Sequence, residues 1–231
     1  MIKPMIPLFM LSMAAITTAT IAEPISYLDI ETSTGYSSNV SIDGIDIGGG
    51  NNYYGNQTTS DSFTIATNMI GDSNSPVLGG NIQVANTSTS DIDFVIGFYM
   101  PVTQQDAGSY DWAGSISLAL TGIDASLSSL IDTPVWSAGI DDIELGTLLS
   151  DPFEMGFSGT GNQSIQEAIS SLIDWNGDSG MLSIGLAFNL SAGDTAVFGT
   201  SLGFIPSPGA ICLLAITMIG GRSRRRSACP A

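Results

Sequence analysis

The stretch LSIGLAFNL, residues 182–190, is the clearest indicator of the fold class of this chain. Apolar side chains occupy every second position, which is typical of a β-strand with one buried face. The same alternation recurs at residues 63–69, 82–84, 92–100, 116–120 and 196–202. Clusters of Gly, Asn, Ser and Asp separate these runs and favour turns, as at residues 48–52, 71–76 and 192–194. The sequence therefore predicts an all-β, antiparallel β-sandwich of the jelly-roll-like kind.

One segment has a different spacing. Ile165, Ala168, Ile169, Leu172 and Ile173 repeat at intervals of three and four residues, which is the period of an amphipathic helix. Ser164 and Glu167 also match the Ser-x-x-Glu capping box that begins many helices. We therefore expect one short helix at residues 164–174.

Charge is distributed very unevenly along the 231 residues. The chain has 22 acidic residues and five basic ones, and it has no histidine. The five bases, Lys3, Arg222, Arg224, Arg225 and Arg226, lie near the two ends, and the two cysteines, Cys212 and Cys229, lie near the C-terminus. Residues 23–204 therefore contain every acid but no base and no cysteine, which argues against nucleic-acid binding, zinc sites and catalysis by histidine or cysteine.

The N-terminus has the order of features found in secretory signal peptides. Lys3 is followed by an almost uncharged, largely apolar stretch that ends at Ala22, and Glu23 begins the acidic body. This order predicts export, with cleavage between Ala22 and Glu23. The expected organisation is a signal peptide at 1–22, a surface domain at 23–204 and a C-terminal segment at 205–231.

The C-terminal segment combines prolines, an apolar run and arginines. Pro206, Ser207, Pro208 and Gly209 precede the apolar residues 210–219, and an arginine-rich cluster follows at 222–226. The prolines are expected to end the folded domain, and the apolar run to enter the bilayer as a short helix. The arginines should hold the far end of that helix on the cytoplasmic side, so that the membrane is contacted through this tail alone.

These residues resemble the PEP-CTERM sorting signal of Gram-negative bacteria, with Ser207 at the position where glutamate is usual. The resemblance covers residues 205–226 and rests on Pro206, Ser207, Pro208, Gly209 and the arginines at 222, 224, 225 and 226. It implies an exosortase-like processing enzyme as a partner. It also implies transient anchoring in the inner membrane, followed by delivery to the cell surface or the extracellular matrix.

One short segment offers oxygen ligands for a metal ion. Asp174, Asn176 and Asp178 alternate as the first three ligands of a calcium loop do. The loop lacks the later glycine and bidentate glutamate, so polar turn residues are the alternative interpretation. Apart from Ca²⁺ at this position, the sequence predicts no cofactor.

Two classes of function fit these observations. The first is a structural or interaction protein of the cell surface that binds exopolysaccharide weakly, with sugars stacking on Tyr53, Tyr54, Tyr110, Trp112, Trp136 and Trp175; packing of these aromatic residues in the core is the alternative. The second is an extracellular glycoside hydrolase that uses paired carboxylates from Asp141, Asp142 and Glu144. We expect the first class, because no base or histidine is available to position a substrate.

Overall fold

A computed structural model describes residues 25–103, 105–141 and 143–206, which form fifteen β-strands in two antiparallel sheets. No helix occurs within these described ranges, and consequently none there is long and apolar enough to cross a membrane.

The sheet that we call the front sheet has the strand order β11-β10-β14-β7-β1-β2, and the short pair β9 and β12 joins it beside β14. The bounds of its strands are β1 Ile25–Thr32, β2 Ser37–Asp43, β7 Ile92–Val102, β9 Ser126–Ser129, β10 Trp136–Ile140, β11 Ile143–Leu148, β12 Glu154–Gly156 and β14 Gly180–Leu190.

The second sheet, the back sheet, has the order β13-β8-β15-β6-β5-β4-β3. Its strands are β3 Ile45–Gly48, β4 Asn51–Thr59, β5 Phe63–Asp72, β6 Val77–Asn86, β8 Gly108–Ile123, β13 Thr160–Trp175 and β15 Thr195–Pro206. The last strand pairs with β8 as far as Pro206, so the folded domain continues two residues beyond the boundary at 204 that the sequence suggested.

The core lies between the two sheets, where the inner faces of their strands meet in one apolar cluster. The rings of Phe188 in the front sheet and Phe198 in the back sheet lie 4.7 Å apart, centroid to centroid. The indole N–H of Trp136 donates a hydrogen bond of 2.7 Å to the hydroxyl of Thr200 across the same space. Burial of apolar residues from both sheets, rather than charge pairing, therefore holds the sandwich together.

The alternating segments are confirmed as strands. Residues 63–69, 82–84, 92–100, 116–120, 182–190 and 196–202 lie in β5, β6, β7, β8, β14 and β15. Turns are also found at the predicted clusters, where Gly48, Gly49, Gly50 and Gly193 have positive φ angles. Glycine suits such positions because it lacks the Cβ that makes this region costly for other residues.

The predicted helix at 164–174 is wrong, because those residues lie in β13, which pairs with β8 over its full length. Ile165, Ile169 and Ile173 are spaced by four residues, and an interval of four is even, so it also places side chains on one face of a strand. All three isoleucines pack against the core from this inner face. Leu172 lies on the outer face and is 65% exposed, as the period of a strand requires.

Candidate functional site

The predicted sugar-stacking aromatic residues are mainly core residues. Tyr54, Tyr110, Trp112, Trp136 and Trp175 are all buried, with at most 6% of each side chain exposed. Tyr53 is half-buried on the outer face of the back sheet, where its hydroxyl donates a hydrogen bond of 2.6 Å to Asn68. The packing interpretation therefore holds for five of the six, and those five form no exposed platform for a sugar.

A different surface has the shape of a binding site. The outer face of the front sheet contains an open groove of about 580 Å³ that crosses β2, β1, β7, β14, β10 and β11. Its lining combines acidic and polar residues with apolar ones: Asp29, Glu31, Ser37, Ser38, Asn39, Val95, Ile96, Gly97, Tyr99, Thr133, Pro134, Ser137, Glu144, Gly185, Leu186 and Ala187.

The floor of the groove is a row of residues that lie opposite one another across five strands. In order across the sheet the row contains Asn39, Asp29, Gly97, Gly185 and Ser137. The two glycines at its centre have no side chains, which leaves a depression between the neighbouring rows. A glycine inside a strand often marks a place where another group approaches the backbone closely.

An aromatic ring occupies part of this depression. A Cβ atom added to Gly97 would lie 2.7–3.0 Å from three atoms of the Tyr99 side chain, so that ring covers the glycine. Tyr27, the neighbour of Tyr99 on β1, has 38% of its surface exposed. Exposed aromatic rings beside polar groups offer both a stacking surface and hydrogen-bonding partners.

A carboxylate and an amide lie at the end of the same row. The side-chain amide of Asn39 donates a hydrogen bond to the carboxylate of Asp29. Burial, and in second place the negative charge of Asp29, raises the pKa of the Tyr99 phenol above its ordinary value. The phenol is therefore protonated at neutral pH and available as a hydrogen-bond donor.

The acidic cluster proposed for hydrolysis is only partly associated with this groove. Glu144 lies on β11 and lines the groove, whereas the carboxylate of Asp141 accepts a hydrogen bond of 2.8 Å from the backbone N–H of Met181. Asp141 has a φ of 51°, in keeping with a turn residue between β10 and β11. Asp142 lies outside the described residues.

The candidate calcium ligands begin at the end of a strand, β13, rather than after a helix. Asp174, on β13, accepts a hydrogen bond of 2.6 Å from the hydroxyl of Ser109. The amide of Asn176 donates to the carboxylate of Asp178 at 2.7 Å. In the part of the chain that the structure describes, no three Asp, Glu, His or Cys residues form a group that could hold a metal ion. Calcium binding at this segment stays a prediction.

Except for Pro206, the export and sorting residues lie outside the described part of the chain. Ala22 and Glu23 precede the described residues, and Ser207, Pro208, Gly209 and the four arginines at 222, 224, 225 and 226 follow them. Pro206 is described, and its backbone lies at the end of β15 opposite Tyr110. The signal peptide and the sorting signal remain predictions.

The groove itself was not predicted from the sequence. Its floor combines residues from five strands that are up to 156 positions apart, from Asp29 to Gly185, so no local pattern reports it. A signal was nevertheless present, because Gly97 and Gly185 occupy outward-facing positions inside the alternating runs 92–100 and 182–190. Glycine at such a position weakens a strand unless the missing side chain serves a purpose.

Comparisons with known proteins assign no family. No family model matches the chain, and no curated protein matches it. Among solved structures, the enzymatically active domain of bacteriophage CBA120 tailspike protein 4 is similar at 14% identity and a TM-score of 0.26, over 63% of this chain and 20% of that one. TmCBM61, solved in complex with β-1,4-galactotriose, is similar at 11% identity and a TM-score of 0.24, over 64% of this chain and 90% of that one. The infectious bursal disease virus Gx strain structure is similar at 10% identity and a TM-score of 0.24, over 81% and 52%. Similarity at this level gives this chain neither a family nor an activity.

Proposed function

We propose that this protein is exported to the cell surface or its matrix and that its β-sandwich binds a neutral polysaccharide in the groove of the front sheet. The observation that supports this most directly is the ring of Tyr99 lying over Gly97 in the floor of the groove. Polar groups of Asp29, Asn39 and Ser137 lie in the same row, within reach of the hydroxyl groups of a bound sugar.

The charge of the domain limits the kind of polysaccharide. Residues 23–204 contain 22 acids and no base, and Asp29, Glu31 and Glu144 line the groove itself. A polymer of uronic acids or sulfated sugars would be repelled by this field. Neutral sugars have no such cost, because they are recognised by stacking and by hydrogen bonds to hydroxyl groups.

Binding can be tested with a glycan array probed by the full chain and two tyrosine variants. We expect Tyr99→Ala to reduce retention on neutral glycans about tenfold, since loss of one stacking ring costs about 1–1.5 kcal/mol. Tyr53→Ala is the matched control, because Tyr53 also lies over a glycine, Gly55, but on the back sheet. Equal binding by wild type and Tyr99→Ala would refute the assignment of the groove.

We further propose that the protein binds without hydrolysing its ligand. A reducing-sugar assay on each glycan retained by the array tests this directly. Turnover that Asp142→Asn or Glu144→Gln abolishes would instead establish the glycoside hydrolase alternative. No turnover of any retained glycan by the wild-type protein supports a binding role.

The proposal for the two ends of the chain has its own test. We propose that residues 1–22 are removed on export and that an exosortase-like enzyme processes the C-terminal segment near Pro206, Ser207 and Pro208. N-terminal sequencing of the exported protein should then begin at Glu23, and deletion of 207–231 should give an exported protein that is released from the membrane. Protein that keeps its tail in a host with an active exosortase would show that the segment is an anchor only.

A further inference from the structure

The strands at the edges of the two sheets differ in length and in the regularity of their pairing. β3, β12, β11 and β2 contain 4, 3, 6 and 7 residues. The pairing of β3 with β4 and that of β11 with β10 are also interrupted by register shifts. Short, interrupted edges resist pairing with strands of other molecules, which is how soluble β-proteins avoid association.

β13 is neither short nor interrupted. It contains 16 residues, and its pairing with β8 has no bulge from Thr160 to Trp175. The strand has no proline and no lysine, and its two acids are Glu167 and Asp174. Among the described residues β13 pairs with β8 alone, so its second backbone edge has free N–H and C=O groups.

We infer that this edge is an interface between two copies of the chain, in which β13 pairs with β13 of the second copy in an antiparallel, two-fold arrangement. The back sheets of the two copies then form one continuous sheet. A two-fold arrangement is closed, so it uses up the open edge on both copies and leads to a dimer rather than a fibre.

The sequence of β13 favours one register for this pairing. When the two-fold axis passes at Ile169, Ile169 of one copy lies opposite Ile169 of the second copy. Ile165 of each copy then lies opposite Ile173 of the other. The inner-face isoleucines of the two strands are thereby matched, and cross-strand pairs of β-branched residues stabilise a sheet. Glu167 then lies opposite Ser171, whereas an axis at Glu167 would place two carboxylates opposite each other.

Charge also favours a backbone interface over the other surfaces of this domain. No base lies between residues 23 and 204, so the acidic domains of two copies cannot attract each other through opposite charges. The outer face of β13 between Thr160 and Leu172 is uncharged. Hydrogen bonds between backbone groups along this edge do not depend on side-chain charge, and they satisfy groups that would otherwise remain in contact with water.

The oligomeric state of the full chain tests the inference. Light scattering after size-exclusion chromatography, in one mild detergent for all variants, should show a dimer for the wild type. Association should strengthen as NaCl is raised, because salt screens the repulsion between two acidic bodies. A wild-type chain that is monomeric at every salt concentration, or a dimer that weakens as salt is added, would overturn the inference.

A pair of acidic substitutions tests the position of the interface. Ala168 and Ser170 are exposed on the outer face and lie opposite each other between the copies in the proposed register. A168D/S170D adds two like-charge pairs to the junction without removing a backbone N–H, and it should weaken dimerisation about tenfold. N81D/Q83D is the matched control, because Asn81 and Gln83 are exposed on the central strand β6, away from the edge. A dimer that A168D/S170D leaves unchanged would place the interface elsewhere and overturn the inference.

Disulfide trapping tests the register independently of the acidic variants. In a C212S/C229S background, A168C/S170C should form a covalent dimer on oxidation, because directly opposite residues have Cα atoms about 4.5–5.5 Å apart. Q166C/A168C should remain uncross-linked, since those positions are opposite only if the axis passes at Glu167. Efficient cross-linking by the second pair and not by the first would overturn the proposed register.

Discussion

Replacement of one buried amide, Asn86→Asp, should destabilise the sandwich severely at neutral pH and much less in acid. Asn86 ends β6 in the back sheet and is 1% exposed. Its Nδ2 group donates to the backbone carbonyls of Ser90, Leu190 and Ser191 at 2.9, 3.0 and 3.2 Å. Leu190 is the last residue of β14, so the side chain of Asn86 links the end of this front-sheet strand to the back sheet by a hydrogen bond.

The expected loss follows from these bonds. A carboxylate has no hydrogen to donate, so two N–H groups are removed and one of its oxygens faces three carbonyl oxygens. The other oxygen keeps the two donors that Ser88 provides, its N–H at 3.0 Å and its hydroxyl at 2.8 Å. Two lost hydrogen bonds at about 1 kcal/mol each, with about 1–3 kcal/mol for the poorly solvated charge, give about 3–5 kcal/mol in the free energy of unfolding.

The loss should depend on pH with a definite sign. Burial against carbonyl oxygens raises the pKa of the new carboxyl group in the folded state above its unfolded value of about 3.9. At a pH below about 3.9 the new carboxyl group is protonated in both the folded and the unfolded state, and in the folded state it donates one hydrogen bond. The loss in the free energy of unfolding then falls to about 1–2 kcal/mol. Between the two pKa values the folded state becomes less stable by up to about 1.4 kcal/mol for each unit of rising pH.

Urea unfolding of the full chain, followed by tryptophan fluorescence between pH 3.5 and 8, measures this effect. Asn81→Asp is the matched control, because Asn81 is exposed on the outer face and the change adds the same charge. The difference between the two variants removes the general effect of one more acid. A difference near zero at pH 7, or one that does not change with pH, would refute this account of Asn86.

Three further predictions follow from the same structure. Thr200→Val should cost about 1–3 kcal/mol in the free energy of unfolding, because the buried indole N–H of Trp136 loses its acceptor, whereas Thr200→Ser should cost less because it keeps the hydroxyl; urea unfolding distinguishes the two. Raising NaCl from about 10 mM to 1 M should raise the Tm, since residues 23–204 contain acids but no bases and salt can screen only repulsion; a falling Tm by calorimetry would contradict this. Asp29→Asn should lower the pKa of Tyr99 towards that of a free phenol, because a nearby negative charge is removed; absorbance at alkaline pH, with Tyr99→Phe as the reference, follows the titration. The free energy of unfolding of the wild type should fall as pH rises above about 10, because the phenol of Tyr99 ionises first in the unfolded state.

The strands were predictable where the apolar residues fit the two-residue period of a strand and not the 3.6-residue period of a helix. Residues 182–190 alternate strictly, and no helical face can be drawn through them. The isoleucines of β13 fit both periods, because an interval of four residues suits a helix and a strand equally. Pairing with β8 over 16 residues then decides the conformation, and a local pattern cannot report a partner that is 37 to 67 residues away in sequence.

The groove was less predictable than the strands because it depends on register. Asp29, Gly97 and Gly185 become neighbours only when β1, β7 and β14 pair with one particular alignment. A shift of one residue would send the glycines to the core and Phe98 to the surface. The prediction that the aromatic residues stack on sugars failed for a related reason. Trp136 and Trp175 lie beside polar residues in sequence, but the strand register turns both side chains towards the interior of the sandwich.

The absence of bases from residues 23–204 restricts how this domain can recognise anything. Ion pairs inside the domain are impossible, and ion pairs with an acidic partner are excluded as well. Recognition must then use stacking, hydrogen bonds or the backbone itself, and these depend on geometry rather than on charge. Both surfaces proposed above are of this kind, because the groove offers the ring of Tyr99 beside polar groups and the edge of β13 offers backbone N–H and C=O groups. A basic partner would be the one exception, since any cationic polymer would bind such an acidic body without regard to either surface. Loss of that binding in high salt, with glycan binding and dimerisation retained, would separate non-specific attraction from the two specific contacts.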